Sequence, residues 1–100
     1  MMERGDGMII ASAEVKLYAP EVHSLKEKRM IVKSVIAKVQ NKYHVSIAEI
    51  GENDLHQTIV LGIACVAGNT SQGNSILDHV LNEIDLTADA EITEIQREVR

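Results

Sequence analysis

The chain of 100 residues is the size of one domain and is long enough to bury a core of its own. Hydrophobic residues make up 45% of it, as in ordinary globular proteins, and no apolar run is long enough to span a membrane. Tyr18 and Tyr43 are the only aromatic residues. This scarcity argues against RNA recognition by rings stacked on an exposed sheet, since that mode needs two or three rings at fixed places.

The net charge of −5 conceals an uneven distribution along the chain. Residues 24–43 contain six basic residues and one acidic residue, whereas the remainder contains four basic and fourteen acidic residues. Charge asymmetry of this kind is a better guide to a polyanionic partner than the pI of the whole chain. The acidic remainder would repel a polyanion and so restrict it to one face.

The single cysteine, Cys65, excludes an internal disulfide and is typical of a reducing compartment, so we expect a cytoplasmic protein. Residues 11–13 are similar to a signal-peptidase site, but the apolar run before them is too short for a secretory signal. Residues 1–7 are polar and contain two glycines. We interpret them as a flexible N-terminal extension, which leaves residues 8–100 as a single domain.

The first two predicted elements are a strand and a helix. Between Ile9 and Leu17 the odd positions are apolar, and this period of two indicates a strand with one buried face. Pro20 ends the strand. A helix is predicted over residues 25–43, with the lysines largely outside its apolar stripe. That stripe contains Leu25, Val32, Val35, Ile36, Val39 and Tyr43.

Three strands and one helix complete the predicted order. A short strand is expected at residues 45–50 and a longer strand at residues 57–67, separated by strong turn chemistry at residues 51–54. The second of these strands is apolar on both sides, which favours a central place in a sheet. A second helix follows several possible N-caps and extends to about Leu86. The last strand, residues 92–99, is charged, which discourages edge-to-edge association.

The order β-α-β-β-α-β predicts an α+β protein with the ferredoxin-like fold. Right-handed crossovers applied to this order give a four-stranded antiparallel sheet with strand order 4-1-3-2 and both helices on one face. The other face is left uncovered. A row of small apolar residues from the third strand is expected there, suited to a second copy of the chain or to a flat partner: Val60, Gly62, Ala64 and Val66.

The start of the first helix carries the densest positive charge of the chain. Ser24 and Glu27 have the spacing of a capping box. Cations near a helix start face the positive end of the helix dipole and cost about 0.3–1 kcal/mol each, so their presence indicates a use. We expect them to bind an anion, foremost RNA phosphate, and to be dispensable for folding; a merely solvated helix face is the alternative. These cations are Lys26, Lys28, Arg29 and Lys33.

Four segments carry a family resemblance: residues 24–29 (SLKEKR), 32–34 (VKS), 44–49 (HVSIAE) and 61–64 (LGIA). With them, residues 8–99 resemble the YlxP-like bacterial family of unknown function, whose most distinctive motif is SLKEKR. The resemblance implies a ferredoxin-like fold. Members of the family often lie in gene clusters with translation factors and ribosome-binding factor A, so the resemblance also implies a link to RNA or the ribosome by association.

No other feature of the sequence predicts chemistry. The four histidines are scattered, with no pair at a ligand spacing. The polar residues around the hairpin turn (Glu49, Glu52, Asp54 and His56) offer only a loose ligand set for a cation. Cys65 has no base beside it in the sequence and is interpreted as a small core hydrophobe. We therefore expect no enzymatic activity, no metal or other cofactor and no small-molecule ligand.

Two functional hypotheses follow from these patterns. The first is a non-enzymatic module that contacts RNA or a ribosomal particle through the four cations of the first helix, recognising shape and backbone rather than sequence. The second is a homo-oligomeric protein-interaction domain that uses the open sheet face, in which the lysines matter little. Neither hypothesis involves a membrane.

Overall fold

The secondary structure follows the alternation of apolar residues in the strands and the apolar stripes of the helices. In the computed structural model, which describes residues 7–52 and 55–100, the elements are β1 Ile9–Tyr18, α1 Leu25–Lys42, β2 Ser46–Gly51, β3 Thr58–Ala67, α2 Thr70–Thr87 and β4 Glu91–Val99. Residues 1–6 of the predicted extension and residues 53 and 54 of the predicted turn lie outside the described residues.

The four strands form one antiparallel sheet with the spatial order β2-β3-β1-β4. β1 pairs with β3 on one side, from Ile9 opposite Ala67 to Tyr18 opposite Thr58, and with β4 on the other. This order is the predicted order 4-1-3-2 counted from the other edge. The ferredoxin-like fold is therefore confirmed, with the apolar strand β3 in an interior position as predicted.

The bounds of the elements differ from the predicted bounds by one or two residues, as is common at element ends. β1 continues to Tyr18, one residue beyond its predicted end. α1 ends at Lys42 because Tyr43 already has an extended backbone, with φ −132° and ψ 143°. Asn69 is the N-cap of α2, and its side-chain oxygen accepts a hydrogen bond from the backbone N–H of Gln72 at 2.8 Å.

The core lies between the sheet and the two helices. The odd-numbered residues of β1 and β3 face the helices, and all of them except the partly buried Ile9 are buried. Val15 and Leu61 are completely inaccessible. The helices contribute their apolar stripes, which on α2 consist of Leu77, Val80, Leu81 and Ile84. Aliphatic side chains fill the described core almost entirely, as the scarcity of aromatic residues requires. Neither α1 nor α2 contains an apolar stretch long enough to cross a bilayer.

Gly73 allows α2 to approach β1 closely. A Cβ atom at this position would lie 2.8 Å from Cδ1 of Ile9 and 3.0 Å from Cβ of Ala11, which is too close for ordinary packing. Glycine in a helix costs about 0.5–1 kcal/mol relative to alanine. Here the missing side chain offsets that cost, because it lets the first turn of the helix pack directly on the strand.

Cys65 is a core residue, as predicted. It lies on the helix-facing side of β3 and is 4% exposed. Burial raises the pKa of the Cys65 thiol because a thiolate would lose its hydration there. The thiol is therefore both covered and protonated at neutral pH.

We predict that native Cys65 reacts with Ellman's reagent at neutral pH far more slowly than the same thiol in protein unfolded by guanidinium chloride, since the thiolate is the reactive species. The absorbance of the released thionitrobenzoate measures both rates, with glutathione as the control thiol under each condition. Equal rates for native and unfolded protein would contradict the buried position.

Candidate nucleic-acid interface and open sheet face

The N-cap of α1 is Ser24, as the sequence predicts. Its side-chain oxygen accepts a hydrogen bond from the backbone N–H of Glu27 at 3.1 Å. The predicted return bond from the Glu27 carboxylate to the backbone N–H of Ser24 is replaced by a contact of 3.4 Å in which the Ser24 hydroxyl donates to that carboxylate. The N-cap hydrogen bond of Ser24 therefore forms, whereas the Glu27 carboxylate accepts from the Ser24 hydroxyl and not from its backbone N–H.

Three of the four predicted contact residues share the outward face of α1. Lys26, Arg29 and Lys33 are spaced by three and four residues, which places them in one row along the helix, and all three are exposed. We call these three residues the basic stripe. Met30 lies beside them with 64% of its surface exposed, and the four side chains line one shallow concavity.

The cations of the basic stripe differ from several other cations in having no ion-pair partner among the described residues. Lys42 pairs with Glu83 at 2.9 Å, an interaction that raises the pKa of Lys42. Two further pairs, at 2.6 and 2.7 Å, are Arg97–Asp78 and Arg100–Glu98. The charges of the basic stripe are thus available to an external anion.

Lys28 does not belong to this exposed set. Its side chain is 1% exposed, and its ammonium donates hydrogen bonds to the backbone carbonyls of Glu52 (2.6 Å) and Leu55 (2.7 Å). The same nitrogen lies 3.0 Å from a carboxylate oxygen of Glu49, which is itself largely buried. That oxygen accepts no hydrogen bond of good geometry from the described residues, so charge attraction to Lys28 is the interaction that holds it.

The prediction that Lys28 contacts a phosphate is therefore corrected by its burial. The ammonium points into the protein because the turn between β2 and β3 offers it two carbonyls and a carboxylate, which together compensate its loss of water. The sequence contains a pattern from which the burial of Lys28 could have been predicted. Lys28 continues the spacing of the buried residues Val32, Val35 and Val39 by one turn towards the helix start, so it occupies a place on the apolar stripe.

The Lys28 ammonium contacts two residues of the loose ligand set at the hairpin, Glu49 and Glu52. Glu52 has a positive φ of 56°, and its carbonyl accepts from the backbone N–H of Leu55 at 3.1 Å as well as from Lys28. Asp54 of the loose ligand set lies outside the described residues. The part of the chain that the structure describes contains no group of three or more potential metal ligands.

The four residues of the predicted interface row lie on the uncovered face of the sheet. Their partners on β1 are Lys16, Glu14, Ser12 and Ile10, in the order Val60, Gly62, Ala64 and Val66. Gly62 leaves room for Ile50, since a Cβ atom there would lie 3.0 Å from Cγ2 of Ile50. A shallow groove of about 500 Å³ lies on this face, and Gly62, Ala64 and Ile50 are among the residues that line it. Three exposed apolar side chains lie on the same face: Ile10, Ile50 and Val66.

Comparison with known proteins identifies the family. Residues 10–97 match the family described as "Protein of unknown function (DUF503)". The "Uncharacterized protein YlxP" of Bacillus subtilis (strain 168) is 40% identical over 85 residues, which cover 85% of this chain and 92% of that protein. The chain belongs to this family. The resemblance carried by the SLKEKR segment is thus confirmed, and in this member of the DUF503 family the second lysine of that segment is a buried residue.

Solved structures support the fold and nothing further. The de novo designed protein Foldit4 has a TM-score of 0.55 at 9% identity, covering 93% of this chain and 96% of that one. A second designed protein, LFR1 1 with ferredoxin fold, has a TM-score of 0.54 at 27% identity, with coverages of 91% and 84%. A C-terminal segment of the alpha subunit of aIF2 from Pyrococcus abyssi has a TM-score of 0.57 at 13% identity, with coverages of 92% and 51%.

We predict that Lys28→Ala lowers the free energy of unfolding by about 3–5 kcal/mol, since it leaves the Glu49 carboxylate and two carbonyls without their cation. Arg29→Ala is the matched control; it removes an exposed charge from the same turn and should change the stability by less than about 0.5 kcal/mol. Urea denaturation followed by circular dichroism measures both values. Equal stability losses in the two variants would contradict the buried position of the Lys28 ammonium.

Proposed function

We propose that this protein is a non-enzymatic cytoplasmic module that binds RNA, free or within a ribosomal particle, through the basic stripe of α1. One observation carries the proposal: three exposed cations, Lys26, Arg29 and Lys33, share one helix face and have no acidic partner among the described residues. The acidic remainder of the chain disfavours a polyanion elsewhere on the surface.

The geometry of the basic stripe suits a phosphate backbone. Lys26 and Lys33 are seven residues apart, which corresponds to about 10 Å along the helix axis. Each cation can neutralise one phosphate and release its condensed counterions, which gives affinity without reading the sequence. The Met30 side chain between them can pack against a sugar or a base, since its thioether is flexible and polarizable.

RNA is the preferred polyanion because of the family resemblance. The association of YlxP-like genes with those of translation factors supports a partner in the translation apparatus. Under this proposal, three of the four cations named from the sequence contact phosphates, because Lys28 is buried.

We predict that wild-type protein binds single-stranded RNA at low salt, with log K falling with log salt concentration at a slope of about −2, as expected for three phosphate contacts. Lys26→Glu/Arg29→Glu/Lys33→Glu should abolish this binding. Fluorescence anisotropy with a labelled ribosomal RNA fragment measures both. The control Lys16→Glu/Lys38→Glu/Arg100→Glu changes the net charge equally but spares the stripe, and it should retain most of the affinity. Equal losses in the two variants would show that only net charge matters.

A second candidate function is self-association through the open sheet face. The exposed apolar residues Ile10, Ile50 and Val66 favour it, because they lie on the same face as the small row Val60, Gly62, Ala64 and Val66. Small side chains let two sheets approach closely, and an exposed apolar patch is typical of an interaction site. In a two-fold dimer the same surface of each copy must fit the other copy. The groove at Gly62 is a depression on this face and the side chain of Ile50 beside it is a ridge, so one surface supplies both shapes.

We predict that the molar mass measured by light scattering rises with concentration above the 11.0 kDa of one chain, towards a dimer. Ala64→Arg should hold the protein at the monomer mass, since it places a charge in the middle of the row. Ala37→Arg makes the same change on the exposed side of α1 and should leave the dimer intact. A wild-type protein that stays monomeric at every concentration would remove this candidate.

A further inference from the structure

Two histidines that are far apart in the chain line a single cleft at the N-terminal end of α1. His23 immediately precedes the N-cap residue, and His56 lies between β2 and β3. The cleft has a volume of about 520 Å³ and is lined by Val22, His23, Leu55, His56, Gln57 and Thr58. Both imidazoles are exposed, whereas Val22 is buried.

Hydrogen bonds hold the two sides of the cleft together. The side-chain amide of Gln57 donates to the carbonyls of Pro20 (3.0 Å) and Val22 (3.3 Å), which lie in the loop before α1. The backbone carbonyl of Gln57 accepts from the N–H of Ala19 at 2.8 Å. The loop that carries His23 is therefore joined directly to the residue that follows His56.

Lys28 fixes the other end of this segment. Its ammonium donates to the carbonyl of Leu55, the residue before His56, at 2.7 Å. His56 thus lies between two residues, Leu55 and Gln57, that are bonded to α1 and to the loop before it. A cleft anchored in this way needs little reordering when it binds a ligand.

The composition of the cleft fits an unpaired nucleobase. Histidine is one of the side chains on which splayed-out RNA bases stack, and Thr58 and the imidazole nitrogens can exchange hydrogen bonds with a base edge. The exposed apolar side chain of Leu55 would contribute nothing to the binding of an isolated phosphate. The volume is within the range of small-molecule sites, about 300–1,000 Å³. A transition metal would need a third ligand, which the described residues do not supply.

We propose that this cleft receives one unpaired base of the RNA strand whose phosphates contact the basic stripe, an inference that rests on the proposed function. The position of the cleft supports it: His23 lies three residues before Lys26, the first cation of the basic stripe, so a strand that leaves the cleft along α1 would reach the stripe at Lys26. The ligand class is then single-stranded RNA, because a paired base cannot enter the cleft.

The test compares His23→Ala/His56→Ala with the control His44→Ala/His79→Ala, which removes two exposed histidines away from the cleft, after the end of α1 and on α2. Anisotropy titrations use a labelled single-stranded RNA and an RNA duplex at about pH 8, where histidine is ordinarily neutral. We expect the cleft variant to bind the single strand at least about five-fold more weakly at every salt concentration, with an unchanged salt slope. Duplex binding and the control variant should match wild type.

Two outcomes of the titrations overturn the inference in distinguishable ways. If wild-type protein binds RNA through the basic stripe but the cleft variant binds the single strand equally well, the cleft inference is wrong and the proposed function stands. If wild-type protein binds no RNA, or if the Lys26→Glu/Arg29→Glu/Lys33→Glu variant binds RNA as well as wild type, the cleft inference and the proposed function are both wrong.

Imidazole NMR signals give a second measurement on unmodified protein. Addition of RNA should shift the signals of His23 and His56, and unchanged signals for both would also overturn the inference.

Discussion

The buried ammonium of Lys28 is the interaction on which the arrangement of the surfaces depends. A buried charge is costly unless it is paired and hydrogen-bonded, and this one meets a carboxylate and two backbone carbonyls. Those three acceptors all come from β2 and the turn after it, whereas the lysine comes from α1. Movement of the helix relative to the hairpin would separate the Lys28 ammonium from the Glu49 carboxylate and from both carbonyls, so these contacts fix the position of the helix start.

The burial of the Lys28 ammonium separates the cations of the SLKEKR segment into one that faces inward and two that face outward. Successive residues of a helix are rotated by about 100°, so neighbours in sequence face different directions. Lys28 faces inward and holds the hairpin, while Lys26 and Arg29 face outward and begin the basic stripe. The hydrogen bond from the Lys28 ammonium to the Leu55 carbonyl helps to bring His56 beside the helix start. The cations of this segment therefore differ in environment: Lys26 and Arg29 are exposed and belong to the proposed binding surface, whereas Lys28 is buried beneath it.

The two proposed interaction surfaces lie on opposite sides of the molecule. The basic stripe faces outward from the layer of helices, and the row from Val60 to Val66 lies on the sheet face that the helices leave uncovered. A dimer formed through the sheet would thus leave both stripes free. Two linked copies would bind one RNA more tightly than either copy alone if the RNA could reach both stripes. The two candidate functions are therefore compatible with one another.

The sequence by itself determined the order of the elements, the ferredoxin-like topology and the Ser24 cap, because these depend on local spacing and on the small set of allowed connections. It also placed the row from Val60 to Val66 on the open face, since a strand alternates its sides strictly. Only the tertiary structure decided the burial of Lys28 and the meeting of His23 with His56. Each of these depends on groups from distant parts of the chain. The place of Lys28 on the apolar stripe is a signal of burial, but only the tertiary structure supplies the acceptors that make the burial possible.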